Sequence, residues 1–198
     1  MTAARRKFQR PLGERRYRKL FVIATEGYIT EPQYFALFLK YQPIVHIKCL
    51  RDKSKNSPLQ VLKRLRTQLK NENFMKSDEA WLVVDKDKWT DNQLGQLFAW
   101  SNQSDQFGFA LSNPKFEFWL LLHFEDGNGI ASSQDCSGRL QVHLPDYDKN
   151  IDSRKFTREL MEVAIHRAEV RDNPPCADWP KVIGTTVYKL VAKFLSVN

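Results

Sequence analysis

The residues best placed to do chemistry are acids that end apolar runs. Residues 81–89 read WLVVDKDKW, an apolar run ending in Asp85 and Asp87 with a lysine after each. Residues 20–26 read LFVIATE, a similar run ending in Glu26. In extended chain, residues i and i+2 point to the same side, so Asp85 and Asp87 would present oxygens to one ion while Lys86 and Lys88 point away. Hard carboxylate oxygens suit Mg2+ or Mn2+, which keep waters and bind a substrate phosphate beside one or two acids. Three unneutralised carboxylates in one small volume raise one another's pKa, so a cation or a shared proton is expected. The competing reading is a charged turn leaving the core, because Asp-x-Asp at a strand end is common.

What decides between them is the set of elements that positions these acids. LFVIAT (20–25) has the continuous apolar, β-branched character of a strand buried on both faces. Thr30 and Gln33 stand at capping-box spacing, which predicts a helix from about Glu31 to Tyr41, with Pro32 tolerated in its first turn. IVHIKCL (44–50) reads as a second strand. Ser57-Pro58 opens a basic amphipathic helix with Leu59, Leu62, Leu65 and Leu69 at helical spacing. AWLVVD (80–85) is a third strand, followed by a helix over about 91–101. FGFALS (107–112) is a fourth, and Asn113 or Ser112 should cap a helix that starts near Pro114. Residues 125–150 look like an irregular insertion. Helices near 154–171 and 184–196 close the domain.

This β-α alternation predicts an α/β fold with a mostly parallel four-stranded sheet flanked by helices and a C-terminal helical extension. The expected organisation is a basic tail (1–16) and a single domain (17–198), with a core over about 17–124 and an insertion and helical part over 125–198. In open parallel sheets the ligand crevice lies beyond the carboxyl ends of the strands. If strands one and three are neighbours, Glu26, Asp85 and Asp87 converge there.

Charge supplies a second line of argument. The chain of 198 residues carries a net charge of +8, unevenly spread. Residues 1–20 hold eight Lys/Arg against Glu14, and residues 40–70 hold nine against Asp52. Such concentration points to a polyanion, nucleic acid or nucleotide phosphates, more than the total does. The bland alternative is a solvated face and a frayed tail. No apolar stretch is long enough to span a membrane, and the basic N-terminus lacks the apolar centre of a secretory signal. Three cysteines, Cys49, Cys136 and Cys176, lie far apart without a CxxC, so a zinc ribbon or a disulfide framework is not supported, and a reducing cytoplasm is the default. No P-loop is present.

Other candidates surround the proposed crevice. Lys55, Asn56 and Ser57 follow the second strand, where a helix N-terminus can receive phosphate, and Lys115 with Asn113 stands at another helix start. Glu31 and Glu117 both fall in first turns of helices, where an acid complements the helix dipole, so each divides between structure and catalysis. His123 lies on an apolar helix face and reads as a core histidine. Thr185 and Thr186 read as an N-cap.

The segments EGYITEPQYF (26–35), NSPLQVL (56–62), VVDKD (83–87), SNPKFEFWLLLHFED (112–126) and IGTTVYKLV (183–191) occur in this order along the chain. With them the sequence resembles the RloB family; residues 125–180 match it poorly. The resemblance implies a TOPRIM-type domain, in which a glutamate after the first strand and an Asp-x-Asp after the third bind Mg2+ and act on phosphodiester bonds. Glu26 would take the glutamate role, and Asp85 and Asp87 would be metal ligands, with Glu117 beside them. The resemblance further implies a bacterial phage-defence or abortive-infection setting and an AAA-type or SMC-like ATPase partner. The expected activity is therefore Mg2+- or Mn2+-dependent nuclease action on DNA or RNA. Two rivals stand beside it: a non-catalytic nucleic-acid-binding or regulatory subunit, and a metal-dependent nucleotide-binding or nucleotidyl-transfer protein.

Overall fold

The structure is a computed structural model that describes residues 19–53, 57–87 and 89–197. The basic tail 1–16, together with Lys55, Asn56 and Lys88, lies outside the described residues. Strands β1 (Lys19–Thr25), β2 (Val45–Leu50), β3 (Glu79–Asp85), β4 (Phe107–Asn113) and β5 (Gly184–Thr185) form one sheet in the order β2-β1-β3-β4-β5. The first four are mutually parallel, and β1 and β3 are neighbours as the crevice argument requires. The expected four strands are thus corrected to five among the described residues. β5 pairs antiparallel with β4 through Ser112↔Thr185 and Asn113↔Gly184. Two residues carry no period-2 pattern, so this strand leaves no trace in the sequence. Thr186 stands at the N-cap of α8 (Val187–Ser196), as expected, and both threonines also bind the sheet: the Thr186 hydroxyl accepts from Leu111 N at 2.9 Å, and the Ser112 and Thr185 hydroxyls share a 2.9 Å bond.

Strand alternation divides the core into two layers. Phe21, Ile23, Trp81, Val83 and Ala110 face one side. Leu20, Val22, Ala24, Ala80, Leu82, Val84, Phe109 and Leu111 face the other. Helices α3 (Pro58–Lys70) and α4 (Asp91–Ser101) cover the second face through Val61, Leu62, Leu65, Leu94 and Leu97. Each begins with a capping box, Ser57 with Gln60 and Thr90 with Gln93. Ser57 is thereby engaged as a helix cap.

The first face takes the larger layer: α1 (Thr30–Ala36), α2 (Phe38–Tyr41), α5 (Phe116–Leu121), α6 (Ser133–His143), α7 (Arg158–Arg171) and α8 (Val187–Ser196). Three expectations need correction here. The helix expected over 31–41 is two short ones, broken at Leu37. Thr30 is not its cap, because its hydroxyl donates to Lys149 O at 2.8 Å, a tertiary acceptor in place of the local one. The helix expected from Pro114 begins at Phe116, with Lys115 at the N-cap position and no side-chain cap. Asn113 ends β4 and donates through Nδ2 to Pro180 O at 3.2 Å.

The supposed irregular insertion contains α6, capped by Ser132 and docked through Cys136 and Leu140. Its sequence, SQDCSGRLQVH, has a central glycine and few apolar residues. Helix propensity is weak there and packing against α5 supplies the stability. His123 is a core residue: it is fully buried, Nδ1 faces the carbonyls of Trp119 and Leu120, and Nε2 meets Tyr34 Oη at 3.0 Å. Two carbonyls at Nδ1 require the proton there, so Nε2 accepts from tyrosine, and burial pushes the imidazole pKa down to about 3. Among the described residues no helix is long and apolar enough to cross a membrane.

Candidate active site

Strand parity selects which acids meet. Asp85 falls on the same face as Trp81 and Val83, so it emerges under α1 and α5, whose first turns carry Glu31 and Glu117. Glu26, just past β1, keeps pace with β3 through its backbone N–H, which donates to Val83 O at 3.0 Å. Its carboxylate reaches across: Oε2 accepts from Asp85 N at 3.2 Å, and Oε1 accepts from the Trp89 indole at 3.0 Å. A cleft of about 340 Å3 results, lined by Glu26, Tyr28, Glu31, Asp85, Glu117 and Lys149 among others. It sits at the carboxyl ends of two adjacent parallel strands, where ligand crevices of such sheets lie.

Glu31 and Glu117 are each only 5% exposed, so both are part of the built site rather than surface dipole partners. Glu31 Oε1 accepts from Gly27 N at 2.8 Å. A Cβ on Gly27 would lie 1.9 Å from Glu31 Oε2, so only glycine permits this approach. Burial first, then the charges of Glu117 and Glu26, push the Glu31 carboxyl up to about 7. Burial, followed by Glu31, Glu26 and Glu117, lifts Asp85 well above the ordinary carboxylate range. Glu117 goes the other way. Burial would raise it, but the Lys149 ammonium, 2.5 Å from Oε1, holds it below its usual value.

Lys149 belongs to a strap over 147–151 that α1 and α5 hold down. Tyr147 Oη donates to Glu117 Oε1 at 3.1 Å and lies 3.2 Å from the Thr30 hydroxyl. Ile151 N donates to Gln33 Oε1 at 2.8 Å, and Gln33 Nε2 donates to Asn150 Oδ1 at 3.0 Å. Lys149 itself has φ of +65°, a left-handed turn that the strap must accommodate.

Asp87 is not in this group. The extended-chain rule stops at Asp85, because Lys86 N donates to Ser112 O, Asp87 N to Pro114 O, and Trp89 N back to Lys86 O. With φ of +29°, Asp87 is in a turn and exposed, outside the cleft. Lys115 turns to the Ser137 hydroxyl of α6, Asn113 to Pro180, and Ser57 to its own helix. The cleft thus keeps Glu26, Asp85 and Glu117 of the expected acids and adds Glu31, Tyr28 and Lys149, while Tyr147 binds Glu117 and Trp89 binds Glu26. Glu31 and Glu117 carried a signal, being acids in helix first turns after strands one and four. Lys149 carried none, since a loop residue 32 positions from Glu117 reaches it only through the fold.

The donor chemistry fits a hard divalent cation. Glu26 and Asp85 offer oxygens beside like charges whose repulsion a cation would relieve. Among the described residues, however, no group of three or more His, Cys, Asp or Glu side chains stands close enough to hold a metal ion. The residues suit Mg2+ or Mn2+ held by one or two carboxylates with waters and substrate oxygens, rather than a closed protein cage.

The model of the RloB-like protein family matches residues 21–194. The chain belongs to the RloB-like protein family. The match runs from within β1 to within α8 and so includes every acid of the cleft as well as the strap. No curated protein and no solved structure matches the sequence.

Proposed function

We propose that this RloB-like chain is a divalent-metal-dependent nuclease with a TOPRIM-like site, cleaving phosphodiester bonds of DNA or RNA. One observation carries the reading: Glu26, Glu31, Asp85 and Glu117 gather around one cleft at the carboxyl ends of adjacent parallel strands. Glu31 and Asp85, raised by burial and by the neighbouring acids, have no structural use that a hydrophobic replacement would not serve better. A bound Mg2+ or Mn2+ would supply charge neutralisation at the phosphate and activation of water. The Trp89 indole and the Asp85 N–H orient Glu26 as a ligand, and Asp85 faces the same volume. Glu31, poised near neutrality, can take or give a proton at Oε2 while Gly27 N holds Oε1. Lys149, more than half exposed and beside Glu117, offers a cation to a phosphate oxygen.

The same reading extends to an AAA-type or SMC-like ATPase partner, a role in bacterial phage defence, and a cytoplasmic location. The exposure of Asp87 favours one rival, a nucleic-acid-binding subunit that does no chemistry.

The test is incubation of purified protein with single-stranded DNA, duplex DNA, RNA and tRNA, with Mg2+, Mn2+ or EDTA, alone and with the ATPase. Metal-dependent cleavage that falls at least ~100-fold in Asp85→Asn and Glu31→Gln is expected, a loss typical for removing a group that acts in the transition state. Undiminished cleavage in both variants would sink the assigned site. Binding without cleavage under every condition would favour the rival.

A further inference from the structure

A second cavity, of about 600 Å3, opens between the end of β2 and α3. Its lining brings three cations together, Arg51, Lys63 and Arg64, against one acid, Asp52. Between them stand neutral hydrogen-bonding side chains, including Gln60, Thr67 and Gln68. Arg51 and Lys63 are exposed, within reach of a ligand. Arg64 is set more deeply and ties the groove to the acid cleft, donating to Thr25 O at 2.6 Å, one residue before Glu26.

Tyr28 makes the second link. It lines the acid cleft, while the Arg51 guanidinium lies 5.2 Å and the Lys53 ammonium 5.5 Å from its ring centroid. A cationic groove therefore leads over an aromatic ring to the carboxylates.

We propose that this groove binds the sugar-phosphate backbone of a single-stranded nucleic acid and feeds it past Tyr28 into the acid cleft. The chemistry is that of single-strand channels: cations that track phosphates, amide and hydroxyl groups for sugar and base edges, and an aromatic with stacked guanidinium. A cavity of about 600 Å3 has room for the backbone of one flexible strand rather than for a whole duplex. The direction of feed rests on the nuclease reading above, but the binding does not.

The experiment is fluorescence anisotropy with a labelled 20-nucleotide single strand, as DNA and as RNA in separate titrations, and with the matching duplex. EDTA is present, so binding is read independently of cleavage. The double variant Arg51→Gln/Lys63→Gln should raise Kd at least ten-fold at 50 mM salt. Its log Kd against log salt slope should fall by about 1.4, at about 0.7 for each phosphate no longer neutralised. The control pair Lys40→Gln/Lys76→Gln removes the same charge from exposed positions outside the groove and should change Kd less than three-fold. An unchanged Kd in the groove variant, an equal loss in the control, tighter binding of the duplex, or no binding by the wild type each overturns the proposal. Failure of the nuclease reading shows separately, as groove-dependent binding with no Mg2+- or Mn2+-dependent cleavage.

Discussion

At the scale of single residues, the site depends on how closely Glu31 can approach the backbone before it. Gly27 has no side chain, and the Glu31 carboxylate occupies the space where one would be. Gly27→Ala must therefore displace a carboxylate that is otherwise enclosed. Under the proposed nuclease reading, cleavage is expected to fall at least ten-fold, with a stability loss of about 1–3 kcal/mol by urea unfolding for moving an enclosed group. Wild-type turnover in Gly27→Ala would show that the position of Glu31 does not matter. Asp87 teaches the opposite lesson: its spacing from Asp85 is right for a ligand pair, but the backbone between them turns.

At the scale of elements, the strap over 147–151 contributes a lysine that nothing in its own sequence marks. Three residues of α1 and α5 hold it: Thr30, Gln33 and Glu117. Lys149→Met removes the cation and leaves Glu117 buried without its counter-charge. The ammonium is more than half exposed, so solvent tempers the loss to about 1–3 kcal/mol. For a domain of this size that is a drop of about 2–10 °C in Tm in EDTA. The measurement is thermal unfolding by circular dichroism with and without 10 mM Mg2+. An unaltered Tm in EDTA would mean the ion pair is not holding the strap.

At the scale of the whole molecule, Glu31 and Glu79, at opposite ends of the sheet, titrate in opposite directions. At the carboxyl end, Glu31 is raised to about 7. The folded protein then binds its proton at higher pH than the unfolded chain does. Stability is complete below the ordinary carboxylate range, near 4.5, and is lost as pH rises towards 7. At the amino end, Glu79 accepts from Lys19, Lys193 and the Trp81 indole, at 2.7, 2.9 and 3.0 Å. Burial would raise its pKa, but these partners outweigh it and hold the group below its usual value. Its contribution is present above the carboxylate range and is lost as pH falls through the depressed pKa. Metal-free protein should therefore be most stable at mildly acidic pH and lose a few kcal/mol between about pH 5 and 8. Chemical denaturation across that range checks it. Glu31→Gln should lessen the alkaline slope and leave the part that Asp85 carries, and an undiminished slope in this variant would assign the loss to other groups.

The sequence alone determined the parts that depend on local periodicity. The apolar runs of β1 and β3, the Ser57-Pro58 start of α3 and the acids at the strand ends are written in neighbouring residues, because burial on both faces and helix-start chemistry are local demands. Glu26 and Asp85 were legible for that reason. β5 was too short for any pattern, and α6 drew its stability from docking Cys136 and Leu140 rather than from its own propensity. Which carboxylates share a cleft was decided only in three dimensions. Strand parity turned Asp85 towards Glu31 and Glu117, the turn after β3 carried Asp87 away, and a distant loop supplied Lys149. Convergence of side chains far apart in the chain is set by which faces pack, and no spacing along one segment records it.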